Sequence, residues 1–170
     1  MAGALTVIDL ATRSTKVLRG AAARPVWGPR AIAFSTVVSR PHYDVLNVAL
    51  IQPDGSGFRQ LTQIRPRTYL FALYPVAWSS DGTRLLGGIH GLDAWTEREA
   101  YAIDPANGRF RLIAHSVMPT AISHDGRFVV GQTGDPECCG FKYSNIVRVA
   151  WGGGKKHVLL THAMAASFNG

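Results

Sequence analysis

A repeated turn signature constrains the fold of this chain more than any other feature. Residues 75–82 and 119–126 align without a gap, and each copy ends in Ser-x-Asp-Gly. An apolar run follows in both copies, at 85–87 and at 129–131. Asp-Gly between two strand-like runs favours a β-hairpin, because glycine adopts a positive φ without steric cost. The repeat is therefore built from strands.

A second hairpin recurs between these signatures. Its first strand occurs at 5–10, 46–51, 99–104 and 145–150, and each copy leads through a turn into a returning strand. The signatures begin at Pro25, Pro75 and Pro119, which are 50 and 44 residues apart. Two hairpins make four strands, and four-stranded propeller blades repeat roughly every 40–50 residues. Since a single four-stranded sheet cannot bury both of its faces, such units stack on one another.

The recurring positions are expected to serve turns and packing rather than chemistry. An aspartate in an Asp-Gly turn hydrogen-bonds its own backbone, and a tryptophan at a matching repeat position packs between blades. These structural residues are Trp27, Pro75, Trp78, Asp81, Gly82, Pro119, Asp125 and Gly126.

The sequence predicts an all-β fold, a partial β-propeller that forms one domain over 1–170. We expect a half blade at 1–20, whole blades at 25–63, 75–113 and 119–161, and the start of another blade at 163–170. Propellers usually close with four to eight blades, so three whole blades favour a truncated chain over a closed ring. One alternative is a short helix over 91–101, where Leu92, Trp95 and Glu99 share a helical face.

The repeat resembles that of the TolB-like, WD-type propellers. The residues that carry the resemblance are Pro-x-x-Trp-Ser-x-Asp-Gly, then Tyr-x-Ile-Asp-x-x-x-Gly, and a closing Leu-Thr at Leu61-Thr62 and Leu160-Thr161. The match covers nearly the whole chain, although Trp27-Gly28-Pro29-Arg30 lacks Asp-Gly. The resemblance implies a non-catalytic scaffold that binds a protein or a ligand, in a periplasmic or extracellular location. No signal peptide is visible in these 170 residues.

The distribution of charged and apolar residues limits the kinds of binding partner that we expect. Basic residues exceed acidic ones by 18 to 11, but they are scattered along the chain, which favours a solvated surface over a nucleic-acid patch. We therefore do not expect nucleic acid as a partner. The longest largely apolar run, 69–78, is about half the roughly 20 residues that a membrane helix needs.

The sequence shows no catalytic, phosphate-binding or metal-binding motif. It has no Gly-x-Ser-x-Gly, and Gly152-Gly153-Gly154-Lys155-Lys156 lacks the spacing of a phosphate loop and precedes a strand. The six histidines show no metal-ligand spacing, so we predict neither a metal nor a cofactor. Cys138 and Cys139 are adjacent, which favours two free thiols over a strained vicinal disulfide.

Strand order divides the connections between two faces. The tight-turn face carries the turns from strand one to two and from three to four, while the long-connection face carries the links from two to three and from blade to blade. Long loops on a rigid scaffold often carry function, and arginine and aromatic residues are enriched at interface hot spots. The predicted binding residues are therefore those of the long-connection face: His42, Tyr43, Arg65, Arg67, Tyr69, His90, Asp93, Trp95, Lys142 and Tyr143.

Two enzymatic alternatives remain beside the binding scaffold. The chain could be the gating propeller of a prolyl-oligopeptidase-type serine hydrolase whose catalytic domain lies outside these residues. It could also be a polysaccharide lyase with a site in the propeller channel. A downstream Gly-x-Ser-x-Gly would indicate the hydrolase, and metal-dependent sugar cleavage would indicate the lyase.

If the chain is a truncated propeller, as expected, its behaviour in solution should differ from that of a closed ring. A run of blades without neighbours leaves apolar inter-blade faces uncovered, so we expect the isolated chain to self-associate or to be poorly soluble. Light scattering coupled to size-exclusion chromatography measures this directly. A monodisperse monomer that melts cooperatively would contradict the prediction and favour a closed ring.

Overall fold

The computed structural model describes residues 3–40, 43–64, 71–91, 98–134 and 144–163, and all regular structure in them is β-strand. The first seven strands are β1 Gly3–Ile8, β2 Thr15–Trp27, β3 Ile32–Arg40, β4 Tyr43–Ile51, β5 Arg59–Gln60, β6 Phe71–Trp78 and β7 Leu85–Gly91. The remaining six are β8 Glu99–Ile103, β9 Phe110–His115, β10 Met118–Ile122, β11 Phe128–Thr133, β12 Asn145–Ala150 and β13 His157–Thr161. The all-β prediction is confirmed.

The strands form successive four-stranded antiparallel units. The second unit is β6-β7-β8-β9 and the third is β10-β11-β12-β13, each in chain order. The first unit is the end of β2 with β3, β4 and β5, and it joins the second through one parallel bridge between Leu46 and Ala72. These three units are the blades, and the order in which their strands pair is the one expected for consecutive propeller blades.

Strand β2 belongs to two layers. Its first part pairs with β1, with Thr15 opposite Ile8, and its last part pairs with β3, with Trp27 opposite Ile32. A register shift between Ala23 and Val26 lies near the transition between these two pairings. A continuous strand therefore crosses the segment between the predicted half blade and the first predicted blade.

The prolines of the turn signature lie at bulges. Register shifts occur between Pro75 and Ala77 in β6 and between Pro119 and Ala121 in β10. Proline cannot donate a ladder hydrogen bond, so within sheets it is confined to edges, strand starts and bulges. Strands β6 and β10 therefore each tolerate a proline at a position where the ladder of hydrogen bonds between strands is already interrupted.

Three apolar clusters hold the layers together. Successive side chains of a strand point to opposite faces, and β7 uses both: Leu85 packs toward blade one and Leu86 toward blade three, each fully buried. The third cluster packs Leu5 of the β1–β2 hairpin on Phe34 and Ile51 of blade one. Burying one leucine or phenylalanine side chain stabilises the fold by about 1.5–3 kcal/mol, so this stacking supplies the main favourable term.

Basic side chains link each blade to the next at the tight turns. The Nζ of Lys16 donates to the carbonyl of Asp54 at 2.6 Å, and Arg59 donates to the carbonyls of Ala106 and Pro105 at 2.6 and 2.5 Å. Arg111 does the same to Trp151 at 2.6 Å. Part of the basic excess thus fastens turns across blade boundaries.

Several sequence predictions fall outside the described residues. They include the blade start predicted at 163–170, except for Ala163, and the state of Cys138 and Cys139. The two ends of the helical alternative lie in strands, because Gly91 ends β7 and Glu99 begins β8. No helix in the described part of the chain is long and apolar enough to cross a membrane.

The contact between blades one and two makes Gly108 sensitive to substitution. Its φ is +77°, and a Cβ there would lie 1.8 Å from the carbonyl oxygen of Leu61. We expect Gly108→Ala to lower the free energy of unfolding by more than about 2 kcal/mol, through backbone strain and the steric clash. Denaturation in urea measures the change.

Gly152→Ala is the matched control. Gly152 lies in the equivalent turn of blade three, and a Cβ there meets nothing within 4 Å. Its effect should stay within about 0.5 kcal/mol. Equal losses in the two variants would show that the close approach at Gly108 does not stabilise the blade contact.

Candidate functional site

At the tight-turn face, the polar groups of the turn signature form hydrogen bonds within their own turns. In the β6–β7 turn the hydroxyl of Ser79 donates to Asp81 Oδ1 at 2.6 Å, and the backbone N–H of Thr83 donates to the same oxygen at 2.9 Å. The β10–β11 turn repeats this arrangement with Ser123 and Asp125, at 2.6 Å. Both aspartates act as acceptors within their turns, so Ser-x-Asp-Gly closes a hairpin and leaves little free for a ligand.

These hydrogen bonds also stabilise the charged form of the aspartates. The hydroxyl of Ser79, followed by the N–H and hydroxyl of Thr83, lowers the pKa of Asp81 from its ordinary value of 3.8 to about 2. The hydroxyl of Ser123 and the N–H of Arg127 lower the pKa of Asp125 in the same way. Donors to a carboxylate favour ionisation, which explains both directions.

At the opposite face, buried hydrogen bonds anchor the connection from β5 to β6. Thr62 and Asn47 are each 2% exposed. The Thr62 hydroxyl oxygen accepts from Val48 N–H at 2.9 Å, and the side-chain amide oxygen of Asn47 accepts from Ile64 N–H at 2.7 Å. The closing Leu-Thr of the repeat thus fixes the start of the segment that carries Arg65, Arg67 and Tyr69.

Buried polar groups also anchor the connection from β11 to β12. The side-chain amide of Gln132 donates to the Ser144 hydroxyl at 3.3 Å, and both residues are at most 1% exposed. Arg98 donates from Nη1 to the carbonyl of Gly134 at 3.0 Å. Both ends of the segment that carries Lys142 and Tyr143 are therefore held by the scaffold.

A buried carboxylate holds the start of β8. Glu99 is 7% exposed, and its Oε1 accepts from His115 Nδ1 at 2.5 Å while its Oε2 accepts from the Tyr101 hydroxyl. The backbone of the preceding Arg98 accepts from Val117 N–H at 2.9 Å. A buried charge is tolerated when it is paired and hydrogen-bonded. The pair fixes the point at which the connection from β7 returns to the blade.

On β2 and β6, the first strands of blades one and two, an arginine stacks on a buried tyrosine. The Arg24 guanidinium carbon lies 4.2 Å from the ring centroid of Tyr74, and that ring also lies close to Gly88. Burial raises the pKa of Tyr74, while the charges of Arg24 and Arg98 act in the opposite direction. Arg24 has a φ of +50°, an unusual backbone conformation for a non-glycine residue, and such outliers concentrate at functional sites.

The predicted binding residues are only partly within the described chain. The structure places Tyr43 at the first position of β4, opposite Arg40, and His90 in β7, opposite Ala72. Strand pairing therefore includes Tyr43, which was predicted to lie in a connection. The other eight lie outside the described residues: His42, Arg65, Arg67, Tyr69, Asp93, Trp95, Lys142 and Tyr143.

The two repeat tryptophans have different surroundings. Trp78 donates from Nε1 to the carbonyl of Val26 at 3.3 Å, and its ring lies so close to Gly28 that a Cβ there would be 2.6 Å away. Trp27 is 62% exposed. Trp78 packs across the boundary between blades one and two, whereas Trp27 is on the side that faces away from blade two.

Sequence reasoning missed the residues that anchor the connections and the basic links between blades. The basic links between blades could have been predicted from the sequence, because Lys16, Arg59 and Arg111 each follow a turn at the start of a returning strand. The pairing of Glu99 with His115 left no signal in the sequence, since strand register brings these two residues together, whereas Tyr101 lies two residues along the same strand. In the described part of the chain, no group of three or more His, Cys, Asp or Glu residues could hold a metal ion.

This strand order and stacking define a partial β-propeller, and its fold is similar to those of solved TolB-like and other propellers. TolB from Acinetobacter baumannii matches with a TM-score of 0.60 at 13% identity, over 93% of this chain and 38% of that one. An oligogalacturonate lyase in complex with manganese matches with a TM-score of 0.67 at 20% identity, over 94% of this chain and 42% of that one. The predicted TolB-like propeller fold is confirmed.

A third match is the β-propeller domain of the Trilobed protease from Pyrococcus furiosus, described as having an open velcro topology. Its TM-score is 0.60 at 12% identity, over 94% of this chain and 50% of that domain. The chain thus spans half or less of each of these three structures. No protein-family model and no curated protein matches the sequence.

The turn hydrogen bonds predict an acid-sensitive stability. Since the folded-state pKa of Asp81 is depressed, its contribution is fully present above the ordinary value of 3.8 and is lost as the pH falls toward about 2. We expect Asp81→Asn to lose less stability than the wild type between those pH values. Urea denaturation at pH 7, 4 and 2 compares the two proteins, and identical acid losses would contradict the assignment.

Proposed function

We propose that this chain is the scaffold of a binding protein with no chemistry of its own, and that a protein or small ligand binds its long-connection face. The observation that carries this proposal is the set of buried hydrogen bonds that anchor the connections of that face. Loops positioned by a rigid scaffold are the usual sites of recognition. Thr62, Gln132 and Glu99 each fix one such connection.

The contrast between the two faces supports the same proposal. At the tight-turn face, Asp81 and Asp125 accept hydrogen bonds from their own turns. Within the first strands of blades one and two, Arg24 is exposed and rests on a buried tyrosine ring. An arginine held over an aromatic ring loses little freedom on binding, and arginine is enriched at interface hot spots.

A polysaccharide lyase is the second candidate function. Its support is the likeness to the oligogalacturonate lyase in complex with manganese, at a TM-score of 0.67. Within the described chain, His115 and Glu99 bring two possible donors together, but no third His, Cys, Asp or Glu joins them. The described residues therefore do not fit a manganese site.

The gating propeller of a serine hydrolase stays a prediction as well. Its support is the likeness to the propeller domain of the Trilobed protease. Under that reading the long-connection face or the channel would meet a catalytic domain instead of a separate partner.

Photo-crosslinking from the two ends of one strand tests the leading proposal. Ser39, near the end of β3 at the long-connection face, and Arg30, just before the start of the same strand, are both exposed. Each is replaced in turn by p-benzoylphenylalanine, and the protein is irradiated in an extract of its source cells. We expect discrete crosslinked products from position 39 and none from position 30.

Alanine variants and a turnover assay complete the test. Arg65→Ala, Arg67→Ala and Trp95→Ala should each reduce the product formed from position 39. Equal crosslinking from both ends, or no effect of these variants, would contradict binding at this face. Cleavage of oligogalacturonate in the presence of Mn²⁺ would instead favour the lyase.

A further inference from the structure

The boundary between blades two and three contains a cleft at the tight-turn face that the proposed function does not use. Its volume is about 430 Å³, within the range of roughly 300–1,000 Å³ that is typical of small-molecule sites. The start of β7, the β8–β9 hairpin and the end of β12 supply its walls. The residues that matter for binding are Arg84, Asp104, Arg109, Arg111 and Trp151.

The charge of the cleft favours an anion. Three guanidinium groups, on Arg84, Arg109 and Arg111, face a single carboxylate, on Asp104. Both oxygens of that carboxylate are already engaged, since Ala106 N–H donates to Oδ1 at 2.8 Å and the Asn107 amide donates to Oδ2 at 2.7 Å. Two positive charges are therefore left without a matching anion in the wall of the cleft.

Two of the arginines are held in place before any ligand arrives. Arg84 donates from Nη1 to the carbonyl of Gly126, and Arg111 donates from Nη2 to the carbonyl of Trp151 at 2.6 Å. A guanidinium has five N–H donors, so most of their donors remain available. The Arg109 guanidinium makes no hydrogen bond to the described residues, while its backbone N–H is fixed by Asn107 at 2.8 Å.

The rest of the wall is flat and apolar. The Trp151 ring is half-buried, with the Arg84 guanidinium carbon 5.6 Å from its centroid. Phe110 pairs with Ile103 and packs edge-on against Tyr101, with ring centroids 5.8 Å apart, on the side of the sheet that faces blade one, so Trp151 is the aromatic ring of this wall. Aromatic rings and a planar guanidinium both stack well on a flat ligand.

A neighbouring cleft provides a contrast. It lies on the other side of Arg84 and is lined by the carboxylates of Asp81 and Asp125, which disfavour an anion. An anionic group is therefore directed to the side of Arg84 that carries Arg109 and Arg111.

From these observations we propose that the cleft between blades two and three binds a small ligand in which a planar ring is joined to an anionic group. The anion contacts Arg109 and Arg111, and the ring rests on Trp151. A nucleoside monophosphate has this chemistry, and so does an aromatic carboxylate. The site is separate from the long-connection face and does not depend on the function proposed for it.

Isothermal titration of the full chain with adenosine 5′-monophosphate tests the proposal. We expect saturable one-to-one binding that weakens as NaCl is raised from roughly 0.1 to 0.5 M, because the contacts are ionic. Adenosine and ribose 5-phosphate, each with half of the required chemistry, should bind at least about tenfold more weakly. Phenylacetate distinguishes a carboxylate ligand from a phosphate, and its tighter binding at the same residues would assign the site to a carboxylate.

Matched variants locate the site. Arg109→Ala should weaken binding at least about tenfold, and the fold should tolerate it because this side chain is exposed and makes no hydrogen bond to the described residues. Arg30→Ala removes the same charge from the same face in blade one and should leave binding unchanged. Circular dichroism checks that both variants fold. Absence of binding by both anionic aromatic probes, or equal affinity in wild type and Arg109→Ala, would overturn the proposal.

Discussion

The structure depends on covering both faces of every blade. A four-stranded sheet with apolar residues at adjacent positions, such as Leu85 and Leu86, cannot turn either face to water. Each blade is therefore stabilised by packing on its neighbours, and the three apolar clusters alternate with the sheets along the chain. The close approach at Gly108 and the basic links between turns follow from this stacking, since they form only when blades are in contact.

Stacking also separates the two ends of the strands into faces with different chemistry. At the tight-turn face, short hairpins place hydroxyl, carboxylate and N–H groups within reach of one another, and most are satisfied locally. At the long-connection face, the segments are too long for that, so buried groups such as Asn47 and Gln132 anchor them instead. The arginine-lined cleft is an exception at the tight-turn face. It arises where the edge of blade two meets the last turn of blade three.

Local patterns in the sequence predicted the features that depend on neighbouring residues. Ser-x-Asp-Gly predicted the β6–β7 and β10–β11 turns, because serine, aspartate and glycine act within five residues of one another. The closing Leu-Thr marked a real junction, although its buried hydrogen bond to Val48 could not be foreseen. The connection predicted to carry His42 and Tyr43 is shorter than expected, since β3 and β4 pair as far as Arg40 and Tyr43. Alternation of apolar residues there did not indicate where the hairpin would end.

By itself, the sequence determined the strand count per repeat, the turn chemistry and the stacking of like units, because periodicity and turn residues are local properties. Only the tertiary structure decided which side chains meet across blades. Arg24 reaches Tyr74, Glu99 pairs with His115, and Arg84, Arg109 and Arg111 line one cleft with Trp151. The members of these groups are separated by as many as 67 residues of sequence, from 84 to 151. Strand register and blade stagger set such distances, and no short sequence pattern encodes either.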